Sequence, residues 1–522
     1  MGEDNKETKV VSDEGAPPKR GNTRFAFACA VLASMTTTVL GYDIGVMSGA
    51  TIFIQKDLHI SDVQVEVLVG IINLYSLIGS IAAGRTSDLI GRRYTIVLAA
   101  GIVFAGALLM GFATNYAFLM CGRFVAGVGV GYGVVIAPVY TAEISPASVR
   151  GFLTSFSEVF INFGILLGYV SNVAFSHFSL HIGWRLMLGV GAVPAVCLAL
   201  GVLFMPESPR WLVLQGRLSD AAHVLDRLSA TPEEAHLRLS EMKSSAGIPS
   251  DTTTANITPF PITNRGGSGV WKELFLHPTP AVRRVLISAF GIHFFQQASG
   301  IDSVVLYSPH VFQKSGLSSN NALLAMTVAV GLTKTIFILV ATFLLDRIGR
   351  RPLLLASVGG MIFTLIGLGI GLTAAEHHEG KLVWAMGLCF SSILAFVAFF
   401  SIGLGPMPSV YCSEIFPMRL RAQGAAAGVV VNRVTSGIIS MSFLSLYKAI
   451  SIGGAFFLYA GVAAVGWVFF YGYFRETKGR TLEEMGKLFG FSKEEMEAED
   501  DTMKTKEEGF GEAREMAAMA AL

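Results

Sequence analysis

Long apolar runs, each of about 20 residues, recur along the chain and are separated by short polar segments. A helix of about 20 residues spans the roughly 30 Å hydrocarbon core of a bilayer. Charged residues make up only 15% of the 522 residues, whereas soluble proteins carry roughly 25%. The pattern therefore predicts an all-α polytopic membrane protein. It excludes a secreted protein, a nucleic-acid-binding protein and a disordered chain.

The hydropathy pattern predicts twelve transmembrane helices in two groups of six. The predicted spans cover 25–50, 65–84, 94–113, 117–140, 152–175 and 184–205 in the first group, and 283–310, 322–345, 352–373, 383–410, 422–446 and 452–474 in the second. We expect five regions: an N-terminal segment (1–24), a first six-helix half (25–205), a linker with short helices (206–282), a second six-helix half (283–474) and an acidic tail (475–522). One set of short loops is rich in arginine, which predicts that these loops, the linker and both termini are cytoplasmic.

Three charged motifs occur twice in the same order. Asp88-Leu-Ile-Gly-Arg-Arg93 recurs as Asp346-Arg-Ile-Gly-Arg-Arg351, Tyr140-Thr-Ala-Glu143 as Tyr411-Cys-Ser-Glu414, and Pro206-Glu207-Ser208 as Arg475-Glu476-Thr477. Such a repeat is typical of a duplicated six-helix unit with a cavity between the two copies.

The repeated charges fall in the predicted cytoplasmic loops. Acidic and basic side chains there can join helix ends in one state and separate in another. The alternative is that the arginines only set the membrane topology. The predicted gating network consists of Arg85, Asp88, Arg92, Glu143, Arg150, Glu207 and Arg210 in the first half, and Asp346, Arg350, Glu414, Arg421, Glu476 and Arg480 in the second.

Several motifs resemble those of the sugar porter family of the major facilitator superfamily. They include Gly84-Arg85-Thr-Ser-Asp88, Pro206-Glu-Ser-Pro-Arg210, Gln296-Gln297-Ala-Ser-Gly300 and Glu476-Thr-Lys-Gly-Arg480, within a resemblance that covers about residues 25–485. Phe156-Ser-Glu158, Gly300-Ile-Asp302 and Val431-Asn432-Arg433 resemble the plant polyol/monosaccharide transporters in particular. The resemblance implies proton-coupled symport of linear polyols (sorbitol, mannitol, xylitol class) and monosaccharides across the plasma membrane, with the proton as coupling ion and no other cofactor.

Six Asp, Glu, Lys or Arg residues lie well inside the predicted spans, away from their ends, where each charge costs about 2.5–3.5 kcal/mol on insertion scales. They are Asp43, Arg123, Glu158, Asp302, Lys334 and Arg433. Asp43 and Arg123 lie at equal depth on spans 1 and 4, so they can be in contact. The resemblance assigns proton coupling to this pair, because protonation of Asp43 can follow conformation. A static buried ion pair is the alternative.

The other intramembrane charges depart from the sugar porter pattern, which usually has Gln at the position of Glu158 and Asn at those of Asp302 and Lys334. We expect Asp302 and Lys334 to face each other across spans 7 and 8, because a buried charge is tolerable only when it is paired. Glu158 either pairs with Arg433 or senses protons itself. These charges line the polyol site or form structural salt bridges away from it.

Further substrate contacts follow from the resemblance. Gln296, Gln297, Tyr307 and Asn432 are expected to bind substrate, and glutamine amides suit hydroxyl groups because both donate and accept hydrogen bonds. Ser409 takes the place of a Trp that stacks on the sugar in the family, which enlarges the cavity there. Pro406 and Pro408 predict a bend in span 10.

Two other kinds of transport protein are compatible with the chain: a facilitative hexose or inositol carrier, and a transporter-like sugar sensor. A membrane enzyme is not expected, since none of the ten histidines makes a metal-ligand spacing with Cys or Glu. The expected partners are a small polyol or sugar, protons and the lipid bilayer, with no metal, no nucleic acid and a monomeric protein.

Overall fold

The computed structural model describes residues 23–145, 150–229, 231–245, 274–276, 278–317, 319–377, 383–416, 420–478 and 489. The first half contains α1 (Thr23–Leu58), α2 (Asp62–Ile90), α3 (Arg92–Gly111), α4 (Tyr116–Ile144), α5 (Arg150–Phe175), α6 (Leu180–Gly189) and α7 (Ala192–Val202). The linker contributes α8 (Pro209–Leu214), α9 (Leu218–Leu228) and α10 (Pro232–Ser245). The second half contains α11 (Pro280–Ala298), α12 (Ile301–Lys314), α13 (Asn320–Ile348), α14 (Arg350–His377), α15 (Val383–Ile402), α16 (Met407–Ile415), α17 (Arg421–Ile450) and α18 (Ile452–Tyr473).

Eleven helical segments within the described ranges are long and apolar enough to cross a membrane. They match the predicted spans except for span 7, which is divided into the two shorter helices α11 and α12. The all-helical prediction is therefore confirmed, with one span broken in the middle.

The break in span 7 is made by Gly300, whose φ is +83°. L residues rarely adopt this conformation, and a Cβ at Gly300 would lie 2.6 Å from the ring of Tyr459. The predicted bend in span 10 is also present, because α15 ends at Ile402 and α16 begins at Met407, directly after Pro406. Both interruptions border the cavity between the halves.

The two halves pack through α2 against α17 and through α5 against α13. We call the end where α2 meets α3 and α13 meets α14 the arginine face. Several hydrogen bonds between the halves lie toward the opposite face, where Glu66 accepts bonds from the backbone N and Oγ of Ser445 at 2.7 and 2.6 Å. Lys448 and Asp62 form an ion pair beside them. These contacts close that end of the interface.

Candidate functional site

An ion pair lies inside the first half. Arg123 Nη1 donates to both carboxylate oxygens of Asp43, at 2.6 and 2.8 Å. Arg123 is fully buried, and it also donates to the carbonyls of Leu68 and Val69 on α2. The contact expected from the equal depth of the two residues is therefore present.

Two glycines on either side of Asp43 allow α1 to pack closely against α5. A Cβ at Gly41 would lie 1.9 Å from the carbonyl oxygen of Ile161, and a Cβ at Gly45 would lie 2.2 Å from that of Ile165. One side of α1 thus lies directly against the backbone of α5. The carboxylate of Asp43, between the two glycines in sequence, reaches Arg123 on α4. Asp43 borders a small, mostly apolar cavity within the first half.

A larger polar cavity lies between the two halves. The first half lines it with residues of α1, α2 and α5, and the second half with residues of α11–α13, α15 and α17. Four ionisable residues face this cavity: Glu158, Asp302, Lys334 and Arg433.

A network of amide groups lines the second-half wall. Gln296 Nε2 donates to the carbonyls of Leu404 and Gly405 at 3.2 and 2.7 Å, beside the break in span 10. Asn432 donates to Gln296 Oε1 at 2.6 Å and accepts a bond from Gln297 at 3.2 Å. The three predicted amide residues are thus held together at the cavity, with donors and acceptors suited to hydroxyl groups.

Asp302 and Lys334 are not in direct contact in this structure, and their pairing stays a prediction. Both residues line the cavity, but among the described residues no ion pair within 4.0 Å joins them. Asp302 instead accepts a hydrogen bond from Ser436 on α17. Asp302 lies in the first turn of α12, directly after the break at Gly300.

Arg433 is not paired with Glu158, which was one of the two roles considered for Glu158. Arg433 Nη1 lies 3.4 Å from Oδ1 of Asn73 on α2, in the opposite half. No carboxylate lies within 4.0 Å of Arg433 in the part of the chain that the structure describes.

Two predicted substrate contacts do not line the cavity. Ser409 is exposed, and its hydroxyl donates to the carbonyl of Pro406 one turn earlier. Tyr307 is fully buried, donates to the carbonyl of Ser440 at 2.7 Å and stacks on Phe443. The helix turns that follow the two breaks carry these side chains away from the cavity.

At the arginine face, the first-half motifs form one charge network. Arg92 donates from Nε and Nη2 to Glu143 at 3.0 and 3.2 Å and from Nη1 to Asp88 at 3.1 Å. Glu143 also accepts a bond of 2.5 Å from Ser208. Glu207 accepts bonds from the backbone N–H groups of Arg92 and Arg93, across the turn at Gly91. Burial raises the pKa of Glu207, although these backbone bonds act in the opposite direction.

The second half repeats this arrangement. Arg350 Nη2 donates to Glu414 at 2.9 Å, and Glu414 accepts a bond of 2.5 Å from Thr477. Glu476 accepts bonds of 3.0 Å from the backbone N–H groups of Arg350 and Arg351. Burial opposes ionisation of Glu476, but its backbone hydrogen bonds prevail and lower its pKa.

Other members of the predicted network stand apart from it. Arg85 and Arg210 are exposed, and neither makes an ion pair within the described part of the chain. Arg480 lies outside the described residues, as do the side chains of Arg150, Asp346 and Arg421. Among the described residues, the charge network therefore depends on the acidic residues and on the arginine that directly follows the turn glycine in each repeat, Arg92 or Arg350.

The sequence analysis missed three polar residues. Glu66 is 1% exposed and joins the halves through Ser445, but it is the second residue of a predicted span, where a charge is ordinary. Asn73 and Ser436 line the cavity and contact Arg433 and Asp302. Neutral polar residues are common in transmembrane helices, so neither gave a signal.

Comparisons with known proteins agree with this architecture. Residues 29–489 match the family model described as "Sugar (and other) transporter". The chain is 64% identical to polyol transporter 5 of Arabidopsis thaliana over 473 residues, which is 91% of this chain and 87% of that protein. It is 33% identical to the glucose transporter GlcP of Staphylococcus epidermidis over 463 residues, 87% of this chain and 95% of that protein.

A solved structure with the same fold is that of the major facilitator superfamily proton:xylose symporter XylE bound to 6-bromo-6-deoxy-D-glucose. It matches with a TM-score of 0.73 and 25% identity, covering 90% of this chain and 100% of that one. Together with the family match over most of the chain, this likeness shows that the protein belongs to the sugar transporter family of the major facilitator superfamily.

Proposed function

We propose that the protein is a proton-coupled symporter for linear polyols and monosaccharides at the plasma membrane, and that it works by alternating access. The regions 25–205 and 283–474 act as two halves that rock about the cavity. The arginine face, the linker and both termini are cytoplasmic, the protein acts as a monomer, and the proton serves without any bound cofactor. The membrane fold and the family support this class of activity rather than an enzyme.

The observation that carries the proposal is the Asp43–Arg123 ion pair inside the first half. Inside the membrane each charge of the pair is costly without the other, so the stability of the pair depends on the distance between the two groups. A conformational change that alters this distance ties proton binding to access. XylE, which has the same fold, is named a proton:xylose symporter.

The substrate class rests on the wall of the cavity. The linked amides of Gln296, Gln297 and Asn432 offer donors and acceptors to hydroxyl groups. The Arabidopsis relative at 64% identity is named a polyol transporter, and the second-half wall here carries no Trp among its lining residues. An open, polar wall suits flexible linear polyols, which have no flat ring face to stack.

The decisive experiment measures uptake of radiolabelled sorbitol, mannitol, xylitol and glucose into cells that lack their own transporters, with and without a protonophore. A proton symporter accumulates its substrate above the outside concentration, and the protonophore removes the accumulation. Equal inside and outside concentrations in both conditions would instead indicate a facilitative hexose or inositol carrier. Binding without uptake would indicate a sugar sensor.

A further inference from the structure

A tyrosine of the first half is inserted between two helices of the second half. Tyr169 lies on α5 and is fully buried, and its hydroxyl donates to the backbone carbonyl of Val305 on α12 at 2.8 Å. Its ring packs against α13 at Gly331, where a Cβ would lie 2.7 Å from the ring. A residue with a side chain at Gly331 would collide with the ring, so the second half forms a fitted pocket for Tyr169.

The carbonyl of Val305 needs a donor because of Pro309. In a regular helix this carbonyl would accept a bond from the backbone nitrogen four residues later, which is that of Pro309 and carries no hydrogen. The chain also leaves helical geometry between the two residues, since Tyr307 has φ −108° and ψ 15°. The hydroxyl of Ser308 donates to the same carbonyl over 3.3 Å. The shorter bond to Val305 therefore comes from the other half of the molecule.

This contact lies next to the cavity, on the side away from the arginine face. Ile165 and Val305 line the cavity, and Tyr169 is one turn beyond Ile165 on α5, which runs from the arginine face toward the opposite face. Tyr169 itself is not among the described residues that line the cavity. It therefore joins the halves beyond the cavity without forming part of the cavity wall.

A bond of this kind can be made and broken with little net change in free energy. Both groups are neutral, so separating the halves exposes no charge, and water can replace the phenol as the donor to Val305. Without the hydroxyl, the carbonyl loses its shorter bond only while the halves are together and water is excluded. The hydroxyl of Tyr169 thus stabilises one of the two states alone.

We propose that Tyr169 is a lock on the face opposite the arginine face. Its hydroxyl supplies the donor that Pro309 denies to Val305, and so holds α12 against α5 while that face is closed. The lock opens when α12 leaves α5 and water binds the carbonyl. It rests on the proposed function, because it requires a protein that alternates between closed and open states of this face. Tyr169 is a positioning residue, since it sets the ratio of the two states without contacting substrate.

The first test measures that ratio in protein reconstituted into vesicles without substrate. Spin labels at Phe112→Cys and Val383→Cys, exposed positions at the opposite face on different halves, are placed in a chain whose five native cysteines are replaced. Tyr169→Phe should raise the ratio of open to closed label distances by at least about fivefold. An unchanged ratio would overturn the lock.

Two further backgrounds separate the lock from a general loss of packing. Pro309→Ala gives Val305 a backbone donor, so adding Tyr169→Phe should then change the ratio by less than about twofold. Ser308→Ala removes the longer bond, so adding Tyr169→Phe should then have a larger effect than in the unchanged background. If Pro309→Ala prevents folding, the Ser308→Ala comparison decides alone. Equal effects of Tyr169→Phe in every background would show that the hydroxyl does not act through this carbonyl, and the lock would be rejected.

Tyr42→Phe is the matched control. Tyr42 is also buried, and its hydroxyl donates to the backbone carbonyl of Met187 at 2.7 Å, but both residues belong to the first half. The variant loses a bond of the same kind that does not join the halves. The ratio of label distances should therefore stay within about twofold of the unchanged protein. A rise as large as that of Tyr169→Phe would contradict the lock.

The second test measures uptake of labelled sorbitol into cells, where the opposite face is the outer one in the proposed topology. Tyr169→Phe should lower the half-saturation concentration by about twofold or more, because more of the protein is open to that face. It should also lower the maximal rate, because closing is less favourable. A raised half-saturation concentration would indicate a substrate contact and would overturn the lock. Failure of the unchanged protein to take up sorbitol would reject the proposed function, whereas the label distances, which need no substrate, would still decide on the lock.

Discussion

The two halves carry the same charged network at the arginine face but bury it to different depths. In the first half, the side chains of Arg92 and Glu143 are 9% and 10% exposed. In the second half, those of Arg350 and Glu414 are 14% and 27% exposed. The pKa values of the two motif glutamates also shift in opposite directions: that of Glu207 is raised by burial, and that of Glu476 is lowered by its backbone hydrogen bonds.

The interiors of the halves differ far more than their loops. The first half holds the Asp43–Arg123 pair away from the central cavity, whereas the second half places its linked amides directly on the cavity wall. The duplication thus preserved the network that joins helix ends, while the buried ion pair and the amide-lined wall each occur in only one of the two copies among the described residues. Each half can therefore be disabled separately, with different consequences.

The largest expected effect comes from Asp43→Asn. A proton entering through 100 mV and one pH unit supplies about 3.7 kcal/mol, which supports roughly 500-fold accumulation of a neutral solute. The amide cannot release a proton, so the accumulation ratio should fall to about 1 while exchange of sorbitol across the membrane continues. Accumulation at the original ratio would remove Asp43 from coupling.

Gln296→Ala is the matched variant in the second half. It removes bonds to Asn432 and to the carbonyls of Leu404 and Gly405, so the KM for sorbitol should rise by about tenfold or more. The accumulation ratio at low substrate concentration should stay well above 1. If both variants lose accumulation, or both only raise the KM, then the ion pair and the amide wall do not serve separate functions.

Arg92→Met and Arg350→Met compare the two networks. Breaking a buried pair costs about 3–5 kcal/mol because the partner charge is left uncompensated, and an exposed pair contributes about 0–1 kcal/mol. Arg92→Met should therefore lower the Tm of the purified protein clearly more than Arg350→Met, whose partner Glu414 is more exposed. Equal losses of Tm would show that the depth of burial does not separate the two networks.

Gly91→Ala and Gly349→Ala should differ less in Tm, and the first-half variant should again be the less stable of the two. Both glycines have positive φ, +93° and +107°, so alanine is strained at both by about 1–3 kcal/mol. A Cβ at Gly91 would also lie 2.4 Å from Oε2 of Glu207, whereas at Gly349 the distance to Oε2 of Glu476 is 3.1 Å. The Tm should fall further for Gly91→Ala. A larger fall for Gly349→Ala would contradict this reading.

The sequence predicted those features of the structure that helix geometry and repeated motifs determine on their own. Because a helix rises by a fixed distance per residue, two residues at equal numbers of positions from the same ends of their spans lie at equal depth. The contact of Asp43 with Arg123 was therefore predictable. The repeated motifs predicted the arginine-face networks because the same residues fold the same loop twice. Depth does not determine which neighbour a side chain contacts after a break, so the hydrogen bond from Ser436 to Asp302, just after Gly300, was not predictable.

The smallest expected effect is a difference in pH dependence between Glu207→Gln and Glu476→Gln. A raised pKa means that the folded protein binds more protons than the unfolded chain, so the contribution of Glu207 to stability falls as pH rises from about 4.5 through its folded pKa. A lowered pKa has the opposite sign: the contribution of Glu476 is complete above about 4.5 and is lost as pH falls through its folded pKa.

The difference in Tm between the unchanged protein and each glutamine variant isolates these contributions, because a change of hydrogen bonding alone is independent of pH. For Glu207→Gln the difference should shrink by about 1–2 °C as pH rises above 4.5, and for Glu476→Gln it should grow by about 1–2 °C as pH rises toward 4.5. Asp220→Asn, an exposed carboxyl in the linker, serves as the control and should show neither slope. Slopes of the same sign for the two glutamates would mean that the deeper burial of the first-half network does not govern its electrostatics. The two halves would then differ in their interiors alone.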